Sequence, residues 1–179
     1  MKTDVNDLIR RVLDGRKHEY ADLVSRYQGP VYNVLYQMLQ QSAEAEELAQ
    51  EVFVKAYDKL HTFNFQSQFF SWIYRIAINT AISHQKKARR YLHPEQMPEQ
   101  PGPAADGPDR RLEQDEQEEW VRKAVARLSE PHQSVVVLYY FEELSYAKIA
   151  EVLEVEEKRV KSRLFDARRK LKEMLGKKV

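Results

Sequence analysis

The sequence predicts an all-α protein: two small helical domains joined by a flexible linker. Three observations carry this expectation. Apolar residues recur at helical spacing in one segment after another, and no run alternates convincingly as a strand. Residues 92–109, LHPEQMPEQPGPAADGPD, hold five of the seven prolines and two of the five glycines. Proline lacks the N–H a helix needs, and this stretch has almost nothing to bury, so it reads as a linker between two bodies. A chain of 179 residues is long enough for one large domain or two small ones, and the linker favours two. The expected bounds are 1–91 for the first domain, 92–109 for the linker and 110–179 for the second.

Four helices are expected upstream. The first lies near residues 4–14 and ends at Gly15. The second runs from about His18 towards Gln41, bent at Gly29-Pro30. The third covers roughly Ala43 to Leu60, with Leu48, Ala49, Val52, Phe53, Ala56, Tyr57 and Leu60 turned inward. The fourth spans Ser67 to Arg90 and is apolar nearly all round from Phe69 to Ile82, so both of its sides should be covered. Downstream, a helix near Arg111 to Leu128 is followed by one that starts at Ser129-Pro131 and ends near Phe141. Two more then close the chain. No internal repeat is evident.

Those last two helices carry the sharpest functional signal. ELSYAKIAEVLEVEEKRVKSRLFDARRKL reads as two helices joined by a tight turn. Ser145 can cap the first, because its side-chain oxygen can satisfy an orphan N–H. Tyr146, Ile149, Ala150 and Leu153 form its apolar stripe, and Val155 sits in the turn. The second helix turns Val160, Leu164, Ala167, Leu171 and Leu175 inward. Lys158, Lys161, Ser162, Phe165 and Arg169 then fall on the outer face, with Arg159 and Arg163 on its flanks. A helix fits the major groove, where Lys and Arg contact phosphates or guanine edges, so the pattern predicts a helix-turn-helix reader of duplex DNA. An ordinary helical hairpin with a solvated basic face is the competing reading.

Two further faces stand out in the first domain. The third helix shows Glu47, Gln50, Glu51, Val54 and Asp58 outward: acids with one apolar residue among them, which fits a protein partner as well as a solvated surface. On the fourth helix, Trp72, Asn79, Ser83, Lys86 and Arg90 line up, with Arg75 and Lys87 beside the line. Aromatics stack on unpaired bases and cations track the backbone, so this stripe suits single-stranded nucleic acid. A core position for Trp72 and a solvated basic helix end are the plainer alternative.

Composition sets outer bounds. The 29 basic and 28 acidic residues nearly cancel, so charge distribution carries the information rather than its sum. Acids gather at Glu44–Glu51 and Glu113–Glu119, bases at Lys86–Arg90 and Lys158–Lys178. Without cysteine there is no disulfide and no thiolate metal site. No segment approaches the ~20 apolar residues of a membrane span. MKTDVNDLIRR lacks the apolar core of a signal peptide, so a cytoplasmic protein with no membrane insertion is expected.

AEAEELAQEVFVKAY (43–57), FFSWIYRIAINTA (69–81), the linker and LSYAKIAEVLEVEEKRVKSRLFDARRKL, in this order, resemble bacterial sigma factors of the extracytoplasmic-function (ECF) type, over almost the whole chain. The resemblance implies a promoter-specificity subunit. The acidic helix would dock on the largest catalytic subunit of core RNA polymerase through Glu47, Gln50, Glu51, Val54 and Asp58. The loop from about His61 to Gln68 would take a flipped non-template base of the minus-ten element. Asn64, Gln66 and Ser67 are its candidate pocket groups, and Trp72, Arg75, Asn79, Ser83, Lys86, Lys87 and Arg90 the candidates on the helix. The helix-turn-helix would read the minus-thirty-five element as duplex through Lys158, Arg159, Lys161, Ser162, Arg163, Phe165 and Arg169. The linker would pass through the polymerase towards the RNA exit path. An anti-sigma factor is a further implied partner, and the free chain is expected to be a monomer with no cofactor and no metal.

The sequence departs from the family's pattern at several points. Ser83 stands where many members carry aspartate, Lys158-Arg159 where many carry Gly-Thr, and Asp166 where a base is common. Glu156-Glu157 replaces a more usual proline-containing start. Two other functional classes compete. A stand-alone regulator would use the helix-turn-helix as a dimer on two half-sites, leaving the acidic face and the basic stripe without a task. An enzyme would need a site constellation, and the nearest approach to a helical metal motif is Asp58-x-x-His61, a lone pair.

Overall fold

A computed structural model of the chain describes residues 4–91 and 119–176, which fold as two helical bodies. The proposed linker, the start of the expected Arg111–Leu128 helix and the last three residues lie outside the described residues. Helix α1 (Val5–Leu13) is capped by Asp4, whose carboxylate accepts the Asn6 N–H at 3.0 Å. It ends where Gly15 takes φ +104°, a conformation open to glycine. A short 3₁₀ turn (Lys17–Glu19) leads into α2 (Tyr20–Leu39), which continues through Pro30. Proline costs that helix one backbone hydrogen bond, and the burial of Leu23, Val31, Val34, Leu35 and Met38 along one side offsets it. Helix α3 (Ser42–Lys59), a 3₁₀ turn (Leu60–Thr62) and α4 (Phe69–Tyr91) complete the first body.

Helices α2, α3 and α4 pack on one another around Leu35, Met38, Leu48, Val52, Ile73, Ala77 and Ala81. Helix α1 closes one end with Leu8 and Ile9. The all-round apolar pattern of α4 has the expected cause. One side meets α2 and α3, and the other meets the second body.

In the second body a helix over 119–126, α5, precedes α6 (Glu130–Val136). Helix α6 runs into one wider π-helical turn, Val137–Phe141, in which the Glu142 N–H reaches back five residues to the Val137 carbonyl at 3.2 Å. Val135 to Leu138 are all buried, whereas Tyr140 beyond them is half exposed. Helices α7 (Tyr146–Leu153) and α8 (Glu157–Leu175) follow. Ile149, Val152, Val160, Leu164 and Ala167 are buried between them, while Leu171 and Leu175 are only half-buried because α8 outruns its neighbours. The buried apolar residues of the two bodies form one continuous cluster.

One inward assignment needs correction. Tyr57 was expected in the core with Phe53 and Ala56 but is 37% exposed. The Tyr20 and Tyr57 rings meet in a T-shaped contact at 4.9 Å, and the Tyr20 hydroxyl is committed to the Phe53 carbonyl at 2.7 Å.

Candidate nucleic-acid interface

The acidic face of α3 is built by helical spacing alone. Leu48, Val52, Phe53 and Ala56 are buried, so Glu47, Gln50, Glu51, Val54 and Asp58 are left exposed on the far side. Val54 is 61% exposed, an apolar side chain ringed by polar ones. Glu51 pairs with Lys55 at 2.5 Å one turn on, in a solvated i, i+4 contact of little energetic weight. Tyr57 adjoins this face and adds an aromatic surface that periodicity had assigned to the core.

The loop after α3 is shaped by its own polar groups and by rings. The Asn64 side chain accepts the Gln66 N–H at 3.1 Å, a local turn that any Asx residue favours. Between them Phe65 adopts φ +60°, a left-handed conformation uncommon for a bulky residue. Its ring is held edge-on by Phe63 at 5.0 Å, and the Arg10 guanidinium lies 5.0 Å from the ring centre. Phe65, Tyr27, Phe69 and Phe70 wall a cleft of about 550 Å³, with Gln66, Ser67 and Gln68 on its rim. Of the residues named from the sequence, Gln66 and Ser67 line this cleft, whereas Asn64 is exposed in the same loop outside its lining. Sequence reasoning missed the aromatic walls, whose signal was the run of phenylalanines at 63, 65, 69 and 70.

Along α4 the predicted stripe has mixed fates. Trp72 is half-buried against Phe63 and Phe69, at 5.7 and 5.6 Å between ring centres. Asn79, Ser83, Lys87 and Arg90 are exposed. Lys86 pairs with Glu130 of α6 at 3.2 Å, and Arg89 meets the same carboxylate at 3.6 Å. Arg75 is engaged by the second body. Its Nε donates to the Val152 carbonyl at 3.1 Å, its Nη2 to the Glu151 carbonyl at 2.9 Å, and its Nη1 pairs with the Glu154 carboxylate.

The helix-turn-helix forms as its sequence requires. The Ser145 Oγ accepts the Lys148 N–H at 3.3 Å at the start of α7. Replacing this cap, Ser145→Ala, is expected to cost about 1 kcal/mol of stability in chemical denaturation. Lys158, Arg159, Lys161, Ser162, Phe165 and Arg169 are all exposed on α8, and Phe165 is 68% exposed. Arg163 is half-buried, and burial together with the neighbouring Arg159 charge lowers its pKa. Lys161 pairs with Glu157 at 2.7 Å, and Arg169 meets Asp166 at 3.6 Å, so two of the basic residues already lean on acids of their own helix. Arg168 was not among the predicted readers; it is exposed and engaged by the tyrosines at the end of the π-helical turn. Its Nε donates to the Tyr140 hydroxyl at 2.7 Å, and it lies 5.5 Å from the Tyr139 ring centre.

Among the described residues no group of three or more His, Asp or Glu could hold a metal ion, and no helix is long and apolar enough to cross a membrane.

A family model described as Sigma-70 region 2 matches residues 23–91, and another described as Sigma-70, region 4 matches residues 118–171. The chain is 31% identical to the ECF RNA polymerase sigma factor SigW of Bacillus subtilis (strain 168), with 98% of each chain covered. It is 34% identical to the RNA polymerase sigma-H factor of Pseudomonas aeruginosa, covering 90% of this chain and 88% of that one. Among solved structures, CnrH in complex with the cytosolic domain of CnrY superposes with a TM-score of 0.70 at 20% identity, over 96% of this chain and 97% of that one. The sigma factor RpoE of Bartonella quintana, solved with the anti-sigma factor NepR, gives 0.65 at 21%, over 90% and 99%. At these identities the two structures show a shared fold.

Proposed function

Because the chain belongs to the sigma-70 family, among its ECF members, whose role is promoter specificity rather than catalysis, we propose a division of that role among three of its surfaces. Residues 1–91 form the domain that docks on core polymerase and opens the minus-ten element, residues 92–109 the linker, and residues 110–179 the domain that reads the minus-thirty-five element. The observation that carries this reading is the separation of three chemically distinct faces onto three elements: acids with Val54 on α3, rings and amides in the loop before α4, and bases on α8.

Glu47, Gln50, Glu51, Val54 and Asp58 meet the polymerase. Val54 supplies apolar burial inside a polar rim, the arrangement that protein interfaces use. Gln66 and Ser67 line the place where an unpaired base enters, with Asn64 beside them in the same loop, and aromatic walls offer it a stacking surface. Extruding a base costs a few kcal/mol, and a pocket that holds it helps trap the open strand. Trp72, Arg75, Asn79, Ser83, Lys86, Lys87 and Arg90 then follow the displaced strand along α4. Lys158, Arg159, Lys161, Ser162, Arg163, Phe165 and Arg169 enter the major groove. The chain acts in the cytoplasm, contributes no catalytic group, and is a monomer when free. An anti-sigma protein that covers these faces is its expected antagonist.

Run-off transcription with purified core polymerase on pooled genomic promoters tests this reading. New starts only in the presence of the chain, with two shared upstream elements, are the expected result. Absence of both new starts and core binding defeats it and returns the stand-alone regulator. On a responsive promoter, Lys158→Ala is expected to weaken binding at every sequence and to reduce the slope of log affinity against log salt by about 0.9, the signature of one lost phosphate contact. Arg159→Ala or Arg163→Ala is instead expected to cost roughly 1–3 kcal/mol at one base position.

A further inference from the structure

Between Glu157 and Glu173, α8 carries eight basic residues and a single acid, Asp166. A carboxylate among so many cations opposes the general attraction to phosphate, so its place on the helix matters. Helix α8 leaves the turn at Glu154, where φ is +53°, and buries Val160, Leu164 and Ala167. That burial sets Arg159, Ser162, Asp166 and Arg169, spaced three, four and three apart, along one ridge directed away from the core. Asp166 lies about 6 Å beyond Ser162 and about 4.5 Å short of Arg169 along the helix axis. A duplex that meets those two residues therefore also meets Asp166, whose side chain is 39% exposed.

The Asp166 carboxylate lies 3.6 Å from the Arg169 guanidinium, and the Arg169 side chain is itself 64% exposed. A solvated pair at this separation contributes little to folding stability. What it does is set an acceptor-only group beside a donor-only group on an outward ridge. The Glu157–Lys161 pair is placed differently, with the Lys161 ammonium 5.6 Å from the Tyr146 ring centre on the side towards α7. Lysine is also a point charge, without the planar fork that arginine offers to two acceptors at once.

One base pair shows the matching pattern in the major groove. Cytosine offers its N4 amine as a donor, and its guanine partner offers O6 and N7 as acceptors beside it. An A·T pair has a donor at adenine N6 but lacks the paired acceptors of guanine, and thymine O4 repels a carboxylate. Turning the C·G pair round sets guanine O6 against the carboxylate. We propose that Asp166 and Arg169 act together as a composite reader of a single C·G pair in the minus-thirty-five element, the carboxylate accepting from cytosine N4 and the guanidinium donating to guanine O6 and N7. Asp166 is then a specificity-determining residue: it excludes thymine at that position and steers the Arg169 fork to the neighbouring guanine. This rests on the reading of α8 as the helix that enters duplex DNA.

The test uses the full chain with purified core polymerase on a responsive promoter whose minus-thirty-five region is randomised. Transcripts are counted by sequencing linked barcodes, for the wild type, Asp166→Ala, Arg169→Ala and the double variant, with circular dichroism to verify the helices. The expected wild-type result is a preference of about tenfold for C·G at one position. Either single change should abolish that preference and leave the others in place, and the double variant should lose no more. A purely structural role would instead shift every position together. An unchanged profile in Asp166→Ala, a uniform rise in its transcripts, or loss at a position that Arg169→Ala leaves untouched overturns the composite reader alone. A wild-type profile flat at every position, with initiation intact, overturns the duplex-reading assignment of α8 and the composite reader with it.

Discussion

Reversing Glu47 and Glu51 to lysine together is expected to lower affinity for core polymerase about a hundredfold while leaving the fold intact. Both side chains are exposed one helical turn apart on α3, on the side opposite Leu48 and Val52, so neither change touches the core. Among the described residues the intramolecular ion pair at stake is the solvated Glu51–Lys55 contact, whose loss is worth a few tenths of a kcal/mol. Binding is another matter. Like charges placed opposite each other across an interface cost several kcal/mol, and two reversals beside the exposed Val54 strike the centre of the proposed face. Fluorescence anisotropy of the labelled chain against purified core enzyme checks the affinity, and circular dichroism checks the helix content. Unchanged affinity would remove α3 from the polymerase contact.

Leu164→Ala is expected to cost about 2–5 kcal/mol of folding stability, the range for truncating a buried leucine. Leu164 is 1% exposed between Val160 and Ala167 and fills the space that α6, α7 and α8 share. Small bodies relax poorly around a cavity, and a loss of this size is a large part of a typical total stability. Thermal unfolding followed by circular dichroism should show a midpoint lower by roughly 10 °C. Phe165→Ala, one residue along, is the internal control. Phe165 is 68% exposed, so its loss should move stability by less than about 0.5 kcal/mol and fall on duplex reading instead. If the two variants lost equal stability, the assignment of inner and outer faces on α8 would be wrong.

Periodicity made most of this architecture legible. It placed every helix of the first body to within a few residues, and it separated the outward Lys158, Lys161, Ser162 and Phe165 from the inward Val160 and Leu164 because the apolar spacing on α8 is regular. The Ser145 cap was readable for a local reason, since a cap needs only its own hydroxyl and the next turn's N–H. What escaped was set by long-range contact. Periodicity reports which face of α4 is apolar or basic, but Arg75 meets an acceptor 79 positions away, and nothing near Arg75 announces it. Tyr57 fell on the inward arc by spacing, yet it is 37% exposed, at the border of the core beside Tyr20. The left-handed turns at Phe65 and Glu154 were hidden because the usual cue for such turns is glycine, and neither residue is one.

The wider turn at Val137–Phe141 has a consequence for how this sequence can change. An α-helix advances about 100° per residue, so one residue taken up in a π-helical turn displaces the angular position of everything after it by about that amount. The extra residue lets Val135 to Leu138 stay buried and still brings Tyr139 and Tyr140 round to meet Arg168 on α8. Deleting a single residue from this stretch would restore ordinary pairing and strengthen the helix locally. It would also swing the attachment of α7 about the helix axis, carrying the proposed DNA-reading face with it. Point substitutions can tune this part of the chain gradually, but a one-codon deletion here is a change of aim.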